Sequence, residues 1–305
     1  MNSVTGILRT SSFGRQAAAV GRALPFSESV DSLDALPEAF AAALKAELSD
    51  EACDVRFLIH SPAFDTIGQS SPENVFALTS RRWILAARTH AGVACSAAPF
   101  ASAAVVELTM ILLGGQLRIQ SIGSAPACVI GFNMVSIDLF REAVFMIIAG
   151  SAGESQSVNP PVADLAPLSF KFRTALAEQI PPGEVIRGLR SWERELPPLA
   201  WLLFSRPAAP SGVAAVTDRC LCIITDPQTG KGKQRRGESP HGKIVTYLPR
   251  HHALTLRYEP RSRGDQALIL GIGPQPATEH HALRIPVRQA GSVIELLSSV
   301  AESAS

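Results

Sequence analysis

The strongest concentration of chemistry in this sequence is one basic stretch. Residues 229–243 read TGKGKQRRGESPHGK and hold Lys231, Lys233, Arg235, Arg236 and Lys243, with Glu238 as the only acid. Grouped cations raise the local concentration of anions, and near an anionic membrane each contributes about 1 kcal/mol. These five residues are the candidate anion-binding site, for an anionic membrane surface or a phosphate ligand. Arg250, Arg257, Arg261 and Arg263 follow and could extend it. A solvated surface loop is the simpler reading of the same composition.

Thiols and imidazoles come next. Cys220 and Cys222 stand two apart in a β-rich run, so they share a face, and the pairs His251-His252 and His280-His281 follow. Zinc needs four convergent ligands at about 2.0–2.3 Å. Adjacent strand residues point to opposite faces, so each histidine pair offers a given site one ligand at most. The expectation is two core cysteines, solvent-facing turn histidines, and no metal or other cofactor. Cys53, Cys95 and Cys128 share the first half only with His60 and His90, at spacings that suggest no nucleophile–base pair. TGKGKQ lacks the spacing of a phosphate-binding loop, no helix is expected after GIGPQPA (271–277), and a G-x-S-x-G elbow is absent. No catalytic residue is assigned, and the chain reads as a non-enzyme, with an enzyme of unknown class as the third alternative.

The elements that must position these groups repeat. ALTSRRWIL (77–85) resembles AVTDRCLCI (215–223), with Ala77, Leu78, Thr79 and Arg81 matching Ala215, Val216, Thr217 and Arg219. Each run is read as a strand carrying a Thr-x-Arg signature. Upstream, Phe40, Leu44 and Leu48 match Phe172, Leu176 and Ile180 at a spacing of four, which puts them on one helical face. A short strand with Arg56 or Arg187 follows each helix. Downstream, LTMILL and QLRIQSI are matched with IVTYL and ALTLRYE. Each copy ends in a strand and a helix: 127–132 into 135–149, and 280–286 into 287–302. The series predicted for both copies is helix, strand, Thr-x-Arg strand, hairpin, strand, helix. A single large β-rich domain is the alternative.

The length of 305 residues suits about two domains. Residues 1–33 lack a sustained pattern and are expected to be partly disordered. The first module is placed at 34–149, a Gly/Ser/Pro-rich linker at 150–166 and the second module at 167–305. Residues 1–160 carry 10 Lys/Arg against 14 Asp/Glu, and residues 161–305 carry 18 against 13, so an anionic partner belongs on the second half. The net charge of +1 gives no reason to expect nucleic acid. Ala94 to Leu113 is apolar enough to suggest a membrane span, but Gly114-Gly115 and the alternating run after it read as a hairpin. An odd count of five cysteines and the lack of a signal-like N-terminus point to a reducing, cytoplasmic setting.

VFALTSRRWILAART and GVAAVTDRCLCIITD resemble the early strand of bacterial pleckstrin-homology-like domains, over roughly 50–149 and 184–302. The resemblance implies an α+β, β-rich fold: two pleckstrin-homology-like small barrels or bent sandwiches of seven strands, each closed by a C-terminal helix. It carries no catalytic residues. Members of this group are usually binding or assembly modules, so the implied function is a non-catalytic tandem scaffold acting on a protein partner or by self-association. Anionic-lipid or phosphate binding through 229–243, at the membrane periphery, is the alternative.

Overall fold

A computed structural model describes residues 26–66, 69–111, 113–123, 125–151, 163–193, 210–227, 242–252, 254–260, 265–272 and 279–303. The fold is α+β and strand-rich. In the first copy the order is β1 (Glu28–Ser29), α1 (Glu38–Leu48), β2 (Phe57–Ser61), β3 (Phe64–Thr66), β4 (Gln69–Ser71), β5 (Asn74–Leu78), β6 (Arg82–Thr89), β7 (Gly92–Pro99), β8 (Ala103–Ile111), β9 (Gly114–Ser121), β10 (Cys128–Asn133) and α2 (Ile137–Ser151). The second copy follows with α3 (Phe170–Gln179), β11 (Gly188–Trp192), β12 (Gly212–Val216), β13 (Cys220–Thr225), β14 (Gly242–Pro249), β15 (Leu254–Pro260), β16 (Asp265–Ile272), β17 (Glu279–Pro286) and α4 (Val287–Ser303).

Setting aside β1 and the β3–β4 hairpin, each copy shows one series among the described residues: a helix, seven strands and a helix. The pairing registers also coincide. Phe57 faces Leu78 as Gly188 faces Val216, Leu78 faces Trp83 as Val216 faces Leu221, and Arg82 faces Pro99 as Cys220 faces Pro249. β7 and β14 thus correspond residue for residue, each eight long, opening on Gly and ending on Pro.

Two expectations need correction. The Thr-x-Arg run is a hairpin rather than one strand. The Thr79 N–H donates to Arg82 O at 3.0 Å and the Thr217 N–H to Cys220 O at 2.8 Å, while each threonine Oγ1 accepts a backbone N–H across its turn. A threonine that satisfies local donors makes a turn without Gly or Pro. The arginines also recur through their backbone: Arg81 O accepts from Phe100 N and Arg219 O from Arg250 N. The downstream match was displaced by one strand. LTMILL belongs to β8, whose counterpart is β15, whereas IVTYL belongs to β14, the counterpart of β7. The apolar stretch 94–113 is most of β7, a short turn and β8, and no helix among the described residues is long and apolar enough to cross a membrane.

The sheets are open rather than closed into barrels. β1-β2-β5-β6-β7 form one sheet and β15-β16-β17 another, while β10-β9-β8-β14-β13-β12-β11 run as one seven-stranded sheet through both copies. The junction is the antiparallel pair β8–β14, from Gly242 opposite Ile111 to Tyr247 opposite Val106. Strand order therefore differs from two separate barrels because the three-stranded half of the first copy is extended, edge to edge, by the four-stranded half of the second.

The cores follow this arrangement. α1 buries Phe40, Leu44 and Leu48 on one face of the β2-β5-β6-β7 sheet, where Val93, Cys95 and Ala97 of β7 pack against the same core. The largest core spans both copies: Phe76, Trp83, Phe132 and Phe140 of the first join Phe172, Leu176, Val245 and Tyr247 of the second. α4 lays Val293 and Leu297 on Val216, Leu221 and Ile223, in a core that also takes Ala104 and Val105 from β8. Glu28–Ser29 pairs with β2, so this part of the segment expected to be disordered carries structure. Residues 152–162 of the expected linker lie outside the described residues, and α2 runs on to Ser151.

Candidate binding site at the junction of the copies

Where β14 meets β8, a cleft of about 490 Å³ opens beneath α3. Its floor is Met110 of β8 and Ile224 of β13, and its wall is the α3 side chains Phe170, Lys171 and Glu178. The sequence FKFRT supplies two phenylalanines two apart, and a helix face can bury only one. Phe172 enters the core and Phe170 stays 78% exposed. Leu113 and Val135, 75% and 70% exposed, lie beside the same cleft: Leu113 O accepts from the N–H of Met134, which lines it.

Two ion pairs brace the cleft. Lys171 pairs with Asp226, whose other oxygen accepts from Ser211. Lys243 Nζ lies 2.5 Å from Glu178 Oε2. Of the five candidate anion-binding residues, Lys243 is therefore placed on β14 with its charge engaged by α3. Lys231, Lys233, Arg235 and Arg236 lie outside the described residues. The described residues on either side of them, Asp226 and Gly242, both line the cleft. The matching connection of the first copy is the two-residue turn His90-Ala91 between β6 and β7. The basic segment is thus an insertion of the second copy, and residues 88–99 of the first copy are the end of β6, this turn and strand β7.

Cys220 and Cys222 are fully buried in the shared core; burial pushes Cys220 up to about 12 and Cys222 well above the usual thiol range. Cys128 is buried and raised likewise, Cys95 is half-buried and raised by desolvation, and Cys53 is exposed. Among the described residues no three His, Cys, Asp or Glu side chains gather as a metal site. His280 and His281 lie on β17.

The turn histidines differ from expectation. His251 is exposed, but His252 is half-buried, and both reach the first copy: His251 Nε2 donates to Ala101 O at 3.0 Å and His252 Nε2 to Ala103 O at 2.9 Å. Desolvation, then the neighbouring His251, hold His252 down at about 4. This is a bridge between the copies that a turn-like sequence context does not reveal.

A second polar group occupies the β12–β13 corner. Arg187 grips Asp218 through Nε at 2.7 Å and Nη2 at 3.3 Å, and Glu184 beside it is raised by burial, with Arg219 opposing. In the first copy Ser80 stands at the position of Asp218 and donates from its backbone and its hydroxyl to Asp54. Both arrangements tie the hairpin to the start of the preceding strand, which is a structural task. No family model matches the chain, and no curated protein matches it.

Proposed function

We propose that this chain is a non-catalytic tandem association module, each copy a pleckstrin-homology-like unit whose sheet edges are its docking elements. Four strands in one sheet, three in the next and a closing helix agree with that resemblance in both copies. The observation that carries the reading is the β8–β14 pair, in which an edge of one copy already recognises an edge of the other through backbone hydrogen bonding. A photo-crosslinking residue in place of Ala94, exposed on β7, which among the described strands pairs with β6 alone, tests it in the source cells. Adducts dependent on folding support the reading. A chain that crosslinks to no protein overturns it.

A second reading rests on the cleft. Exposed Phe170, Leu113 and Val135 lie at or beside the cleft that Asp226 and Gly242 line, and the sequence between those two residues carries Lys231, Lys233, Arg235 and Arg236; apolar side chains beside basic ones suit an anionic bilayer. Sedimentation with anionic and neutral vesicles, using wild type and a variant with Lys231, Lys233, Arg235 and Arg236 changed to Ala, decides it. Salt-sensitive binding to anionic vesicles that the variant loses supports it, and no binding at low salt ends it.

A further inference from the structure

The β8–β14 junction uses up one edge of each copy and leaves one of each. β14 and β7 are corresponding strands, as are β8 and β15. Among the described strands, β7 pairs only with β6 and β15 only with β16. Among the described strands, the chain thus carries, without a second partner, the same two kinds of edge that it joins internally. We infer that β7 of one copy of the chain pairs antiparallel with β15 of a second copy, repeating the internal junction in trans. This deepens the association reading and rests on it.

Three observations on β7 support a vacant docking edge. First, the glycines that open the matched strands have opposite surroundings. A Cβ on Gly242 would lie 2.3 Å from Met110 O of the paired strand, whereas a Cβ on Gly92 meets nothing within 4 Å. At this end of the strand, the space that β8 fills beside β14 is open beside β7, while Val93, Cys95 and Ala97 turn their side chains to the α1 core on one face of the sheet. Second, five of the eight β14 residues are buried, against Ala98 alone in β7. Third, β7 reads GVACSAAP, eight residues with no charge and no bulge, and lone edge strands are normally protected by charge, bulging or brevity.

The register follows from hydrogen-bond alternation. Thr89 and Gly92 close a two-residue turn and form a bonded pair, so the N–H groups of Val93, Cys95 and Ala97 face away from β6. Pro99, which has no N–H, falls at a non-bonded position, as this phase requires. The corresponding residues of β14 are Lys243, Val245 and Tyr247, and they oppose Met110, Leu108 and Val106. Pro260 has no N–H, which puts it, Tyr258 and Leu256 in the outward phase of β15; counting from Phe100 and Arg250, across the bulge of β8 between Ala103 and Val105, then matches Leu108 with Tyr258 and Met110 with Pro260. The intermolecular register therefore sets Cys95 opposite Tyr258 and Ala97 opposite Leu256, with Ser96 and Arg257 as a close non-bonded pair between them. Pro260 occupies an outward position of β15, where an edge strand tolerates a missing donor. Such head-to-tail contacts build a ring where the rotation closes and a filament where it does not.

Sedimentation velocity of the full chain over a wide concentration series gives the first test, with weight-average mass expected to rise above the monomer and Cys95→Pro expected to abolish the rise. Since proline could disturb folding, a second measurement leaves the strands intact. One chain carries Ser96→Cys, another Arg257→Cys, both with Cys53→Ser and Cys95→Ser, and the mixture is oxidised. A disulfide-linked heterodimer is expected, and Ser96→Cys mixed with Thr255→Cys is expected to give far less. A wild type that stays monomeric at every concentration, or assembles without the Ser96–Arg257 crosslink, overturns the inference. Should the photo-crosslinker at Ala94 capture a different protein while these tests fail, the association reading stands and self-pairing alone falls.

Discussion

His252 Nε2 and the carbonyl oxygen of Ala103 are joined by a 2.9 Å hydrogen bond that runs from the β14–β15 turn of the second copy to the first residue of β8. The imidazole is held neutral there, at about 4 against 6.5 when free. Between those values the unfolded chain binds a proton that the folded chain refuses, so stability rises with pH across the window. The stabilising contribution is complete above pH 6.5 and is lost as pH falls toward 4. Urea unfolding of wild type and His252→Gln over this range checks it. The wild-type midpoint is expected to fall more steeply on acidification, and parallel curves would exclude a role for His252.

Gly242 and Gly92 make an internal control for the junction. Both have positive φ, +156° and +125°, so alanine strains the backbone at either place by about 1–3 kcal/mol. Only at Gly242 does the methyl also strike the backbone of β8. Gly242→Ala is expected to cost well over the Gly92→Ala value, with faster amide exchange along β8 and β14. Equal midpoints for the two variants would show that the strand contact is not tight.

The Tyr247 hydroxyl donates to Gln179 O at 2.8 Å, tying β14 to the end of α3 in a buried setting. Tyr247→Phe removes the donor and leaves the shape, and is expected to cost about 1–3 kcal/mol in chemical denaturation. A loss below about 0.5 kcal/mol would mean that the Gln179 carbonyl finds another partner.

Glu107 lies near the centre of the seven-stranded sheet, opposite Arg118 of β9 and Thr246 of β14. Desolvation raises its carboxyl above the ordinary range, more than Arg118 and Thr109 lower it. A raised carboxylate makes folding less favourable as pH rises through its folded value. Glu107→Gln is therefore expected to increase the urea midpoint at neutral pH, with the gain shrinking on acidification. A variant less stable than wild type at pH 7 would show that the Arg118 interaction dominates.

The sequence was legible where one element suffices to explain a pattern. Phe40, Leu44 and Leu48 at a spacing of four make α1, and Val293 and Leu297 make the buried stripe of α4, because a helix writes its buried face into a short window. The repeat was legible through the β5–β6 and β12–β13 hairpins, whose threonines serve the same local donors. β7 was missed because small residues such as those of GVACSAAP show no alternation in hydrophobicity, and that omission displaced the downstream match by one strand. The Thr-x-Arg turn was taken for strand because it lacks Gly and Pro. The cleft was out of reach: Lys243 was named, but Glu178, Lys171 and Met110 come from other elements, and no local pattern encodes which edge β14 meets.

The β8–β14 pair also determines what the covalent connection between residues 151 and 163 is for. Six residue pairs, from Gly242–Ile111 to Tyr247–Val106, and a core drawn from both copies hold the halves together. A chain cut between 151 and 163 should therefore remain one particle under native conditions. Expressed apart, the two pieces are complementary fragments that each lack a neighbouring strand, and their recombination would restore the sheet. The connection then acts as a tether that raises effective concentration during folding, and the chain is a ready-made split protein.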